Sequence, residues 1–324
     1  MQSRTSVLAL ALTVLTACAA QSDQDAEPAD APTTQESAWD AESADHESES
    51  THLWIVDRAI DILGKHADDA TAARAFALLN KPSCRTNWQQ GLVDADFKAE
   101  YNGGHSDLPL HPSDAAVALS GATWESHFFD PDTGKNYKGT SATAFSEANS
   151  HVGRALENHL GEGGATACYE LGLSLHFLTD LTQPMHAANF TALDRPAKLH
   201  SNLEGYSLEL QDRFPLADWS GAPSGTIKDF VMQTAKDSKP LFEAGVVAIV
   251  NAYKAYRGFH ILTCRNIDAE PWRFVERQHL DYKYCWAGNP GVDAMVGKTL
   301  ESAQDHTAKY LYLVAAQIAA GVGQ

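Results

Sequence analysis

The stretch from Leu171 to Phe190, "LGLSLHFLTDLTQPMHAANF", is apolar enough for the centre of a core, yet His176, Asp180 and His186 interrupt it. Burying a polar group without a partner costs about 2–7 kcal/mol. Whatever this chain folds into must therefore bring compensating groups to these three side chains from elsewhere. His176 and Asp180 are four residues apart, so they project from one face of a helix, a spacing that also suits metal ligands. His186 follows Pro184 and leaves the chain where that helix has ended. A second pair, His200 and Glu204 in "LHSNLEGYSLEL", repeats the arrangement. Imidazole nitrogen with carboxylate oxygen suits Zn²⁺, which three or four such ligands hold at about 2.0–2.2 Å. His127 in "WESHFFDPD" and Asp96 in "GLVDADF" are further candidates. Taken singly, each reads as a hydrogen-bonded core histidine or a helix-end acid.

Apolar residues recur at helical spacing from Ser50 onward, as in "HLWIVDRAIDILGKH", where Ile55, Val56, Ala59, Ile60 and Leu63 form one stripe. Similar stripes fall at about 70–80, 141–160, 166–182, 200–213, 226–252 and 291–320. Gly, Pro, Asp and Asn clusters such as "YNGGHSDLPLHPSD" and "FDPDTGKNYKGT" separate them and read as loops. No strand-length alternation and no repeat is evident, so the expectation is a single all-α, multi-helix domain over residues 39–324.

The first eighteen residues, "MQSRTSVLALALTVLTAC", set one Arg before an apolar run and small residues, the layout of a secretory signal. Leu15-Thr16-Ala17-Cys18 also fits a lipoprotein box, so transient anchoring through Cys18 stands beside ordinary cleavage and release as an extracellular protein. Residues 19–38 hold five acids, no base and no large apolar residue, which marks an acidic propeptide or tether. The formal charge of -18, with no cluster of Lys and Arg, argues against a nucleic-acid partner held by a basic surface. Cys84, Cys168, Cys264 and Cys285 remain in an exported chain, where disulfides are the expected state. Cys264 with Cys285 is the favoured pair, and four free buried thiols are the alternative.

"THLWIVDRAIDIL", "SHFFDPDTGK" and "LGLSLHFLTDLTQPMHAANF" together resemble the zinc-dependent phospholipases C of bacteria, in the phosphatidylcholine-preferring, non-toxin branch. The match runs through most of residues 39–205 in the same order. In that family the mature chain begins at a Trp whose α-amino and carbonyl groups bind zinc, with a ligand His thirteen residues on, and Trp39 and His52 have that separation. The resemblance implies a trinuclear zinc cleft. Asp96, His127, His176 and Asp180 hold the first ion, His186, His200 and Glu204 the second, and Trp39, His52 and a shared Asp180 the third. It further implies Asp96 as general base and Glu42, Phe97 and Trp124 around the head group, where a carboxylate and ring faces attract a quaternary ammonium. The family's usual Tyr and Phe are here Phe97 and Trp124, and the bland reading of both rings is core packing. The implied activity is release of diacylglycerol and a phosphorylated head group from glycerophospholipid at a membrane or micelle surface, by a monomer with no protein partner. The chain has no room after its last helix for the membrane-binding β-domain of the toxin branch, so strong haemolysis is not expected. One competing reading is a single-strand zinc nuclease of related fold. Those enzymes start Trp-Gly with their ligand His about five residues on, whereas this chain has Trp39-Asp40. The other is a non-enzymatic, anchored binding module stapled by zinc.

Overall fold

A computed structural model describes residues 50–110, 113–191, 194, 199–255 and 288–321. Trp39, Glu42, Cys264 and Cys285 lie outside the described residues, as do the signal and tether segments. Among the described residues there is no β-strand, only an isolated antiparallel bridge between Asp130 and Lys135. Nor is any helix among them long and apolar enough to cross a membrane.

The helices begin where their capping chemistry directs. Ser50 accepts from the Leu53 amide at the head of α1 (Thr51–Lys65), and Asp69 accepts from Thr71 and Ala72 at the head of α2 (Ala70–Leu79). α3 (Pro82–Phe97) starts with proline in its first turn. Two short helices follow, α4 (Ala99–Asn102) and α5 (Asp114–Ser120). Thr143 and Ser146 form a reciprocal capping box on α6 (Ala144–Glu157). Then come α7 (Ala165–Thr182), α8 (Pro184–Ala187), α9 (Leu199–Leu210), α10 (Ile227–Ala255) and α11 (Pro290–Ala319). The helical stripes match the longer of these spans except α3, and the short α4, α5 and α8 also had no counterpart among them. Its sequence, "PSCRTNWQQGLVDADF", carries little apolar periodicity because Asp94 and Asp96 are buried in its last turn.

From Leu171 to Thr182 every residue of α7 is buried, so this helix is the axis of the fold. α3 and α6 pack against it, α10 closes another side, and α11 lies across α1, α2 and α10. The contact between α3 and α7 is unusually close. A Cβ on Gly91 would stand 2.1 Å from the Tyr169 carbonyl oxygen, and one on Gly172 would stand 2.0 Å from that of Trp88. Only glycine lets the two backbones approach so nearly. A Cys84–Cys168 disulfide ties the same two helices at one end. At the other end they present Asp96 beside His176 and Asp180. Met185, Leu199, Leu203 and Tyr206 build a second apolar cluster with α1 and α11, which seats α8 and α9.

Candidate metal centre

Seven of the polar residues singled out in the sequence converge in one buried cluster, and His52 joins them from the first turns of α1. The donor atoms fall into three groups, each within 4.8 Å: His52 with His176 and Asp180, Asp96 with His127 and His176, and His186 with His200 and Glu204. All eight side chains are buried, from 0% exposure at His176 and His200 to 9% at His186. Asp180 lies between the groups. Its Oδ1 is 3.3 Å from His186 Nδ1 and 3.7 Å from His52 Nε2, while Oδ2 is 2.9 Å from His127 Nδ1 and 3.4 Å from His176 Nε2.

The ring orientations are set from outside the cluster. His176 Nδ1 donates to the Leu92 carbonyl (2.8 Å), His186 Nδ1 to that of His127 (3.0 Å) and His200 Nδ1 to that of Phe190 (2.7 Å). His52 Nδ1 donates to Thr179 Oγ1 at 2.5 Å, since that hydroxyl spends its own proton on the carbonyls of Leu175 and His176. These bonds assign the Nδ1–H tautomer, which leaves four Nε2 lone pairs turned inward. His127 is reversed: Nδ1 faces the carboxylates, and Nε2 is buried without a hydrogen bond. His127 belongs to the short 3-10 turn Glu125–His127, entered through Trp124 at φ 47°. That turn and α8 hold one another, because Phe129 N–H in turn donates to the His186 carbonyl (3.1 Å) and the Phe128 ring stacks on His186.

Charge balance in the cluster favours cations. Burial opposes ionisation of Asp180, but His176, His186 and His127 outweigh it and hold the carboxyl well below its usual range. Burial likewise opposes a second proton on His186, yet Asp180 and Glu204 raise its pKa to about 9, and a cation at Nε2 would take that proton's place. His52 is pushed down to about 3, chiefly by burial and then by His176.

The donor set fits a divalent ion by two tests. Glu204 Oε2 is buried without a hydrogen bond and Asp180 Oδ2 has only imidazole nitrogens within reach, a cost a folded protein normally avoids. The donor separations are also those of a small coordination sphere. Ligands at about 2.1 Å in a tetrahedron stand roughly 3.4 Å apart. Here His186 to His200 is 3.1 Å, His186 to Glu204 3.3 Å and His200 to Glu204 2.7 Å. His127 to His176 is 3.0 Å and His127 to Asp96 3.5 Å.

Phe97 and Trp124 are packed together with Leu108, Val117 and Phe128 at 5% and 9% exposure. The Trp124 indole donates to the Asp96 carbonyl at 3.3 Å, as does the Asn102 amide at 3.0 Å, so this cluster adjoins the Asp96 backbone. Two residues that orient the donors were not read from the sequence, Thr179 and Gln183. Thr179 lies one helical turn from donor positions, and Gln183 immediately precedes the proline that opens α8. His151, away from these groups, is buried with its Nδ1 2.7 Å from Glu170.

An all-helical domain with clustered, inward-turned imidazoles and carboxylates has the donor groups of a metal-binding protein. No family model matches the chain. Two phospholipases C of Bacillus cereus are each 31% identical to it, over 281 and 275 residues, covering 85% of this chain and 84% of theirs. A phospholipase C of Listeria monocytogenes is 28% identical over 218 residues, 66% of this chain and 67% of its own. The fold is shared with the alpha-toxins of Clostridium absonum (TM-score 0.54, 21% identity) and Clostridium perfringens (TM-score 0.53, 19% identity). Those alignments cover 86% and 84% of this chain but only 66% and 64% of the toxins. The chain belongs to the bacterial phospholipase C family that its motifs resemble.

Proposed function

We propose that this protein is a secreted phospholipase C that hydrolyses the glycerol-side phosphodiester bond of glycerophospholipids, giving diacylglycerol and a phosphorylated head group. The observation that carries this reading is the convergence, in a chain of this family, of three buried groups of imidazoles and carboxylates around Asp180. Three zinc ions are the proposed complement. Asp96, His127, His176 and Asp180 hold the first, His186, His200 and Glu204 the second, and Trp39, His52 and Asp180 the third. Bound zinc supplies positive charge to the phosphate oxygens and makes water a nucleophile near neutral pH.

The reaction forms one P–O bond from water and breaks the P–O bond to glycerol, whose oxygen leaves with a proton. Asp96 is the proposed acceptor of the proton lost by the attacking water. Its Oδ1 stands 3.5 Å from His127 and 3.7 Å from His176, and two donors on its own carbonyl hold its backbone. The apolar cluster of Phe97 and Trp124 keeps bulk water from that side, and with Glu42 it is the proposed wall of the head-group pocket. Trp39 can offer an α-amino nitrogen only after the Ala38–Trp39 bond is cut, so residues 19–38 are read as a propeptide.

The deciding experiment is phosphate-ester release from a panel of glycerophospholipids and from single-stranded DNA, with and without chelator. Release from lipid alone, abolished by chelator and restored by zinc, is the expected result. Release from DNA in place of lipid would establish the nuclease reading, and no release from either would leave the binding module. Within the lipid panel, Glu42→Gln should slow choline-lipid turnover more than ethanolamine- or serine-lipid turnover. Equal losses would remove Glu42 from the pocket.

A further inference from the structure

Among the described residues outside the donor set, Gln183 touches both α8 and α9 at the centre. It is 3% exposed and lies between the end of α7, which carries Asp180, and the start of α8, which carries His186. Its backbone N–H donates to the Asp180 carbonyl at 2.9 Å. Its side-chain Oε1 accepts from the amides of Met185 and His186 as the N-cap of α8. Its Nε2 donates to Glu204 Oε1 on α9 at 3.1 Å and lies 3.3 Å from His200 Nε2. Exchanging oxygen and nitrogen would turn an NH₂ group toward two backbone donors, so the caps fix which atom faces Glu204.

The residue type is informative. Helix N-caps are normally Ser, Thr, Asp or Asn, whose short side chains reach the amides of the first turn. A glutamine is longer than capping requires. The extra length lets one carboxamide accept on α8 and donate on α9 at the same time, which none of the short caps could do. Glu204 depends on that donor. Its Oε2 is buried without a hydrogen bond, and the partners of its Oε1 are Gln183, His186 and His200.

We infer that Gln183 is the positioning residue of the second donor group: its carboxamide sets the relative placement of His186, on α8, and Glu204, on α9, and so sets how tightly they hold a divalent ion. This rests on the zinc reading given above. Loss of an outer partner to a metal ligand typically lowers affinity about 10–100-fold, and that is the size of effect expected here.

Two variants of the full chain separate holding Glu204 from capping α8. Gln183→Ser keeps a capping oxygen and withdraws the donor from Glu204, whereas Gln183→Leu removes both. Zinc per chain is counted by elemental analysis, affinity by competition with a coloured chelator, and thermal stability in excess chelator. In both variants one equivalent of zinc should be released at about 10–100-fold lower chelator strength than in the parent, with the remaining equivalents unchanged. In chelator both variants should melt below the parent, because each takes the donor from buried Glu204, and Gln183→Leu should fall further because it also loses the cap. Parent-like affinity in Gln183→Ser would overturn the assignment, as would equal weakening of every equivalent. A parent protein that takes up no zinc would refute the zinc reading itself, and that is measured before either variant.

Discussion

Gly172 on α7 stands so close to Trp88 on α3 that a Cβ would lie 2.0 Å from the Trp88 carbonyl oxygen, with the Trp88 Cα and carbonyl carbon at 2.8 Å. Backbone cannot move aside as a flexible side chain can, so the helices would have to separate. Gly172→Ala is therefore expected to destabilise the fold by about 1–3 kcal/mol or more. Because His176 takes its orientation from the Leu92 carbonyl across the same contact, the variant should also bind the first zinc more weakly. Urea unfolding in chelator, together with metal counting, tests this. Parent-like stability would mean that the close approach is not required.

The Cys84–Cys168 bond spans 84 residues and clamps α3 to α7. Replacing both cysteines with serine removes the cross-link without leaving a reactive thiol, and a loss of about 2–5 kcal/mol is expected. Denaturant midpoints of the oxidised parent and the double variant give the number. A loss below about 0.5 kcal/mol would show that helix packing alone sets the distance between the two helices.

How far the sequence alone reached depended on whether a residue's task left a local pattern. His176 with Asp180, and His200 with Glu204, were legible because a helix turns spacing directly into a shared face. His127 and Asp96 were weak when taken singly, since each is held by contacts remote in sequence. His127 sits in a short turn braced by His186, and the Asp96 backbone is held by Asn102 and Trp124. α3 escaped notice because its stripe of Cys84, Trp88, Leu92 and Ala95 is interleaved with Gly91, Asp94 and Asp96, which are buried beside it. Its tight seat on α7 depends on glycines whose value appears only when a second backbone is placed against them. Gln183 was silent for a related reason. Its length makes sense only once α9 is known to lie within reach of α8.

His151 offers a pH test remote from the proposed ligands. Its ring lies between Phe177 and Tyr101 and faces Glu170, Arg154 and, more distantly, Glu147, with Glu100 also acting on it. Burial, joined by Arg154, pulls its pKa below the ordinary 6.5, although Glu170 opposes the change. The unfolded chain therefore binds this proton before the folded one does as pH falls. The stability that rests on neutral His151 is fully present above about pH 6.5 and is lost as pH drops toward the folded value. His151→Gln should give a flatter stability profile between neutral and mildly acidic pH than the parent. Denaturant titrations at several pH values measure the difference. A steeper acid slope in the variant would reverse the sign of this argument.

Asp180 should be the least replaceable side chain of the centre. Four imidazoles approach its two oxygens, and those imidazoles come from α1, the turn before Phe128, α7 itself and α8. Asp180→Asn keeps the size of the side chain but removes its charge. It also converts one oxygen into an NH₂ that can donate to an imidazole but cannot bind a cation. A neutral carbonyl oxygen is a weaker ligand for zinc than a carboxylate, and a shared position that loses one oxygen can no longer serve two ions. The variant is expected to lose at least one zinc per chain and nearly all turnover of phospholipid, while circular dichroism in chelator stays close to that of the parent. Elemental analysis decides the point independently of activity. A folded Asp180→Asn protein with the parent's zinc count and near-normal turnover would show that the cations are held without a shared carboxylate.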